Sequence, residues 1–285
     1  MTNLFHAAAR ADREAARQLL PILSSGLQVT RRHLNDAMVA AFGGSDAEGL
    51  WTQRDSFEVL EHALALHLRA SPVSLNSFGD IRPIIELANR LPTQTVRSEE
   101  QIEWQQFSTP VDIAAAALLL ANVQPDDVIL EPSAGNGLLV AQLGPHQALH
   151  LNELDPARRA RLADVFPGAV ITDHDGATLN STLSNAERPT LILMNPPFSR
   201  SLGRGADDYA AVRHLQAALR RLLPGGRLVA IMPDWFGPSA RMRDQYETVL
   251  RDVTVKNAIR LEKCYLKHGT SIAVRLFVID KVPGK

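Results

Sequence analysis

Two short words in this chain combine residue types that chemistry needs. The first is Asn195-Pro196-Pro197-Phe198, placed directly after the uncharged run Leu191-Ile192-Leu193-Met194. Such a run reads as a buried parallel strand. Two prolines in series cannot extend a central strand, because each lacks the N–H that a neighbouring strand would use. The tetrapeptide is therefore a stiff turn at a strand's carboxyl end, where open α/β sheets present their chemistry. The Asn195 amide oxygen and the Pro196 carbonyl can both accept from one exocyclic NH2 group, and the Phe198 ring can lie against a flat ring system. That combination suits a planar amine such as adenine N6 or a carboxamide. On local grounds it also describes an ordinary strand-ending turn.

The second word is Val128-Ile129-Leu130-Glu131-Pro132-Ser133-Ala134-Gly135-Asn136-Gly137-Leu138-Leu139-Val140. An apolar strand runs into a turn with two glycines and then into a segment of helical type. Gly135 and Gly137 permit positive φ and close approach of a ligand, and Asn136 tolerates the same region. The dinucleotide fingerprint would need a further glycine where Val140 stands, so a pyrophosphate is not the expected guest.

Together the words resemble the S-adenosylmethionine-dependent N6-adenine DNA methyltransferases. Within them, the wording is most similar to the adenine-methylase-like domains found beside strawberry-notch-type helicases on phages and plasmids. The resemblance covers about residues 100–285. It implies that Glu131, Ser133, Ala134, Gly135, Asn136 and Gly137 cradle the methionine half of the cofactor, S-adenosylmethionine, and that Asn195, Pro196, Pro197 and Phe198 hold the target amine beside it. Glu153, 22 positions beyond Glu131, matches an acid placed to accept both ribose hydroxyls. Asp175, with Asp173 as the alternative, matches the residue that binds the cofactor adenine. Thr109 and Pro110, in Gln105-Gln106-Phe107-Ser108-Thr109-Pro110, match a segment near the cofactor carboxylate. The same two residues also make a helix start, with Thr109 as N-cap, Pro110 at the first position and Asp112 completing a capping box.

The reaction implied is direct methyl transfer to N6, with Phe198 stacking on the base and no metal required. Tyr265 in the connection 260–270 is a second stacking candidate, with an ordinary hairpin aromatic as the equal alternative, and Arg200 is a substrate contact. Release-factor glutamine methyltransferases share an Asn-Pro-Pro-aromatic word and a helical N-terminal domain, so a protein glutamine, an RNA amine and a non-catalytic cofactor-binding subunit stay open as alternatives. The Thr-Pro segment precedes the glycine loop, as in one permutation class of the adenine enzymes. Family members with a C-terminal target-recognition domain run far beyond the point, near Lys281, where the sheet is expected to end here. Specificity is then left to the N-terminal helices or to a partner, such as a helicase or specificity subunit, unless it is absent.

The chain has 285 residues and ordinary globular composition, 45% hydrophobic and 21% charged, enough for a full core. No apolar run approaches the roughly 20 residues that cross a bilayer, and the first residues lack a signal-peptide pattern. No membrane contact is expected, and with Cys264 the single cysteine a reducing cytoplasm is the expected setting. That thiol reads as semi-buried and inert. Net charge is −1, yet residues 200–285 carry 16 basic and 8 acidic side chains. The resulting +8 there favours phosphates on that side, and nucleic acid, DNA first and RNA second, is the expected partner. His268 reads as a solvent or phosphate contact.

These residues need elements to position them. Apolar spacing predicts helices over 4–24, 30–42, 55–70 and 83–91, an all-helical domain over 1–95. A methyltransferase domain over 96–285 then alternates strands 127–131, 148–152, 169–172, 190–194, 226–232, 257–261 and 272–280 with helices 110–122, 137–143, 156–164, 207–223 and 238–252. The stretch after Phe198, with Gly203 and Gly205, reads as a loop able to close over substrate. The fold class expected is α/β: a Rossmann-like, seven-stranded, mostly parallel methyltransferase sheet closed by an antiparallel hairpin.

Overall fold

The computed structural model describes residues 2–94, 108–144, 148–184, 188–198, 200–201 and 205–282. Gln105, Gln106, Phe107, Ser199 and Gly203 lie outside them, as does most of the expected domain boundary.

Four helices come first: α1 (Thr2–Ser25), α2 (Arg31–Phe42), α3 (Gln53–Ala70) and α4 (Arg82–Asn89). Reciprocal caps start two of them. Thr30 pairs with His33 at α2, and Thr52 with Asp55 at α3, which satisfies N–H groups that a first turn leaves open. Gly43, at φ 78°, ends α2, a conformation that glycine adopts without penalty.

The remainder is the expected sheet, built from β1 (Val128–Glu131), β2 (Ala148–Asn152), β3 (Val170–Thr172), β4 (Leu191–Met194), β7 (Arg227–Pro233), β8 (Val253–Leu261) and β9 (Val274–Lys281), in the order β3-β2-β1-β4-β7-β9-β8. β5 (Arg200–Ser201) and β6 (Gly205–Ala206) form a separate two-stranded ribbon. The first five strands of the large sheet run parallel, and β9 lies antiparallel to both β7 and β8. Helix α5 (Val111–Ala121) leads into β1, and α6 (Pro156–Val165), α7 (Ala210–Arg221) and α8 (Arg243–Val249) lie between strands. Central β4 is buried at every residue, as its uncharged sequence demands. Chain order reverses between β1 and β4, where ligand crevices form in open α/β sheets.

Several elements depart from expectation: β8 starts at Val253 rather than near 257, and the stretch expected as a loop after Phe198 carries the ribbon β5–β6. The helix expected over 137–143 is one 3-10 turn, Leu138–Val140: Gly137 takes φ 81° and Phe166 and Leu162 pack on it. The helix expected over 238–252 shrinks to α8, because Gly237 to Met242 form successive turns. At α5, Thr109 is not the N-cap. The helix begins at Val111, and Pro110 holds the cap position with extended geometry and no side-chain cap bond.

One apolar core runs from Leu19, Met38 and Leu64 of the helices to Ile129, Ile192 and Phe277 of the sheet. Polar ties cross the same junction. Lys267, between β8 and β9, donates to the carbonyls of Ala88, Asn89 and Leu91 at 2.7–2.8 Å and so closes the end of α4. Its own carbonyl accepts from the Gln94 N–H at 2.8 Å.

Candidate functional site

The register Ile129↔Leu191 sets β1 beside β4, so the loops after Glu131 and Met194 leave the sheet side by side. Thr109 arrives there at the start of α5. Asn195 Nδ2 donates to Thr109 Oγ1 at 3.0 Å and to the Tyr265 hydroxyl at 3.1 Å. These bonds fix the amide: its nitrogen is directed at two protein oxygens, and its oxygen is the acceptor end. Pro196 is buried and Pro197 half-buried, a rigid wall behind it.

Tyr265 corrects an expectation. Its ring is fully buried, so it offers no face to a base and acts instead as a holder of Asn195. Burial lifts its phenol far above the ordinary range, so the hydroxyl stays neutral. Phe198 is likewise buried, its ring edge-on to Trp235 at 6.2 Å, and packs on protein rather than lying open. His268 is half-buried against Tyr265, at 5.9 Å between rings. Burial lowers its pKa to about 4, which leaves it neutral and unsuited to a phosphate. The side chain of Arg200 lies outside the described residues.

Beyond Phe198 an open groove of about 500 Å3 is lined by Asp234, Trp235, Arg241 and Arg275. The cations there are held: Arg275 and Arg260 bind Asp234, and Arg241 binds Asp208. Lys281, like Lys267, closes backbone carbonyls. Much of the excess positive charge of residues 200–285 is thus engaged within the fold.

The glycine loop is shaped on two sides. At Gly135, φ 56°, a Cβ would enter open space, whereas at Gly137 it would meet Phe166 at 2.5 Å. Glu131 is buried, its Oε2 has no hydrogen-bond partner, and burial followed by the nearby Glu153 charge raises its pKa well above the usual range. Glu153 accepts from the Gly135 N–H at 2.8 Å and the Asp155 N–H at 2.9 Å, so here it braces the loop. The Ala134 N–H donates to the Asn152 carbonyl at 2.9 Å. The Asn152 side chain bonds Pro132 and His174, stitching the loops after β1 and β3.

Asp175 caps Ala177 at 2.9 Å, and Asp173 pairs with Arg159 at 3.6 Å. His214 of α7 stands between two expected cofactor residues, Nδ1 3.4 Å from Ser133 Oγ and Nε2 3.9 Å from Asp175. Burial holds it near a pKa of about 4, so the imidazole is neutral. Sequence reasoning missed it, since a lone histidine on an amphipathic helix carries no signal.

Asn136 turns away toward the helices. Its Nδ2 donates to Glu58 at 2.7 Å and Glu61 at 2.6 Å, and its Oδ1 accepts from Arg161 at 3.3 Å. Glu58 is also gripped by Arg158 and Arg161 of α6, and Arg161 reaches Asp12 of α1 at 2.6 Å. Burial works to raise Glu58, yet the two guanidiniums hold it far below the usual range. Sequence reasoning missed the network, because its members come from α1, α3, the glycine loop and α6, and only the tertiary fold brings them together.

No family model matches the chain. The curated type II restriction enzyme and methyltransferase RM.BcgI of Heyndrickxia coagulans is 25% identical over 188 residues, 58% of this chain and 29% of that protein. The chain therefore spans less than a third of that relative. Among solved structures, the modification subunit of a type I restriction enzyme assigned in Vibrio vulnificus matches with TM-score 0.53 at 16% identity, covering 93% of this chain and 61% of that one. A Pyrococcus horikoshii protein assigned as an RNA methyltransferase matches with TM-score 0.54 at 19% identity, covering 72% and 99%. The fold is that of the class I S-adenosylmethionine-dependent methyltransferases.

Proposed function

We propose that this chain transfers a methyl group from S-adenosylmethionine to an exocyclic amino group, with adenine N6 in DNA as the acceptor. The observation that carries the reading is Asn195, pinned by Thr109 and Tyr265 with its amide oxygen as acceptor, one strand from the glycine loop. Two features fit the cofactor: the unpartnered Glu131 Oε2, which suits a cation, and the open space over Gly135. Glu131 and the loop 133–137 would hold the methionine end, with Glu153 and Asp175 toward the nucleoside. Bound there, the cofactor supplies an electrophilic methyl. The Asn195 oxygen and the Pro196 carbonyl orient the target NH2 and draw its lone pair out of conjugation with the ring. The work of the site is positioning and stabilisation of charge developing on N6.

Adenine must leave its stack or arrive single-stranded. Phe198 and Trp235 border the path it would take, so a ring shift there would accompany entry. DNA is favoured by the sequence words and by the restriction-modification relative. Residues 1–95 would act as a helical domain of the same enzyme, and a specificity or helicase partner would supply site choice. Tritiated methyl transfer to duplex DNA, single-stranded DNA, RNA and release factor, followed by nucleoside analysis, tests the reading. N6-methyladenine in DNA is expected. Label in RNA or glutamine instead would replace the substrate class, and cofactor binding without transfer to any of them would leave a binding subunit.

A further inference from the structure

Glu61 lies one helical turn beyond Glu58 on α3 and is half-buried. Its Oε2 accepts from the Ser108 hydroxyl and from Asn136 Nδ2. Ser108 directly precedes Thr109, which holds Asn195, and Asn136 stands between the two glycines. One carboxyl from the N-terminal helices therefore touches both segments that frame the cofactor cleft, and neither sequence word called for it.

We propose that Glu61 is a positioning residue of the cofactor site, which holds Ser108 and Asn136 in one arrangement and releases its proton when a cationic cofactor occupies the cleft. This rests on the cofactor reading above, not on the identity of the methyl acceptor. The charged groups that act on it are Glu58 on its own helix and Arg158 on α6; Arg161 and Asp12 lie one contact further out, through Glu58, and Glu153 and Glu131 lie beyond the loop. Burial and then the Glu58 charge push Glu61 up to about 7, against Arg158 and the two hydrogen bonds. Near neutral pH both forms are therefore present. Positive charge in the cleft favours the ionised form, so binding expels a proton to the buffer. By linkage, affinity then rises with pH across that range.

Isothermal titration of S-adenosylmethionine into the whole chain, at pH 6, 7 and 8 in buffers of different ionisation enthalpy, reads both quantities. The native chain is expected to release protons at pH 7 and to bind roughly tenfold more tightly at pH 8 than at pH 6. Glu61→Gln keeps an oxygen for Ser108 and Asn136 but has no proton of its own to lose, so its release at pH 7 should fall below that of the native chain by the Glu61 share, with a shallower pH profile. Glu61→Ala removes the shared acceptor and should weaken binding about tenfold at every pH. Ser108→Ala, which deletes a bond that lowers the Glu61 pKa, should move the rise to higher pH while the fold stays intact. Glu131→Gln should keep the release, separating the two carboxyls. Native proton release in Glu61→Gln, or native affinity in Glu61→Ala, would overturn the proposal. Tight binding with no pH dependence in the native chain would overturn it alone, whereas no binding by the native chain would remove the cofactor reading as well.

Discussion

Thr109 and Asn195 stand 86 positions apart and meet at 3.0 Å, the Asn195 amide nitrogen donating to the threonine hydroxyl oxygen. That bond joins the segment before α5 to the turn after β4, so the parts expected to serve cofactor and acceptor are in direct contact. Tyr265 completes the clamp from the β8–β9 connection.

Removing that clamp should separate binding from transfer. Tyr265→Phe keeps the buried ring but deletes the oxygen facing Asn195, so transfer should slow by about 10–100-fold with cofactor affinity unchanged. Asn195→Ala should abolish transfer and leave cofactor binding nearly intact. Parallel calorimetry and methyl-transfer assays check both, and comparable turnover by Asn195→Ala would remove its role.

The two glycines should fail differently. Gly137→Ala places a methyl 2.5 Å from Phe166 at φ 81°, a clash with a packed ring on top of backbone strain, and should destabilise by about 2–4 kcal/mol. Gly135→Ala meets nothing within 4 Å at φ 56°. Its strain is about 1 kcal/mol, and its main effect should be weaker cofactor binding. Urea denaturation with cofactor titration distinguishes the two.

Glu131 should make the ligand-free chain sensitive to alkali. Its folded pKa is raised by burial and then by Glu153, so the folded chain keeps a proton that the unfolded chain loses near the ordinary carboxyl value. Stability from this group is full below that value and falls as pH rises toward the folded pKa. Glu131→Gln should therefore raise the melting temperature at pH 8 more than at pH 5. Equal shifts at both would contradict this.

Glu58 has the opposite sign. Burial would raise its pKa, but Arg158 and Arg161 prevail and depress it. Its contribution is full above the ordinary carboxyl value and disappears as pH falls toward the folded one. Arg158→Leu leaves the buried Glu58 carboxylate to Arg161 alone and should cost about 3 kcal/mol at neutral pH. Adding Glu58→Leu should restore part of that, as a double-mutant cycle would read.

The sheet was legible because its strands are short apolar runs punctuated by Gly and Pro, from Leu191–Met194 to the turn Leu223-Pro224-Gly225-Gly226. The resemblance placed Thr109, Glu131, Gly135 and Asn195 in neighbouring segments; Thr109 and Asn195 are in contact, and the strands that lead to Glu131 and Asn195 are paired. Tyr265 and Phe198 misled because residue type cannot tell an aromatic that stacks on a guest from one that packs on its neighbours. Glu61, His214 and Trp235 escaped notice since their importance lies in contacts between distant segments, and nothing local marks such pairings. Thr109 illustrates the same limit: its neighbours spell a helix cap, but tertiary structure directs its oxygen to Asn195.

Lys267 fastens the last turn of α4 and follows the phenol that steadies Asn195 by two residues. The far helices and the acceptor turn are therefore joined by one short, stiff span of chain. Anything that grips α4 from outside pulls on the same span, and its grip would be felt at the side chain of Asn195.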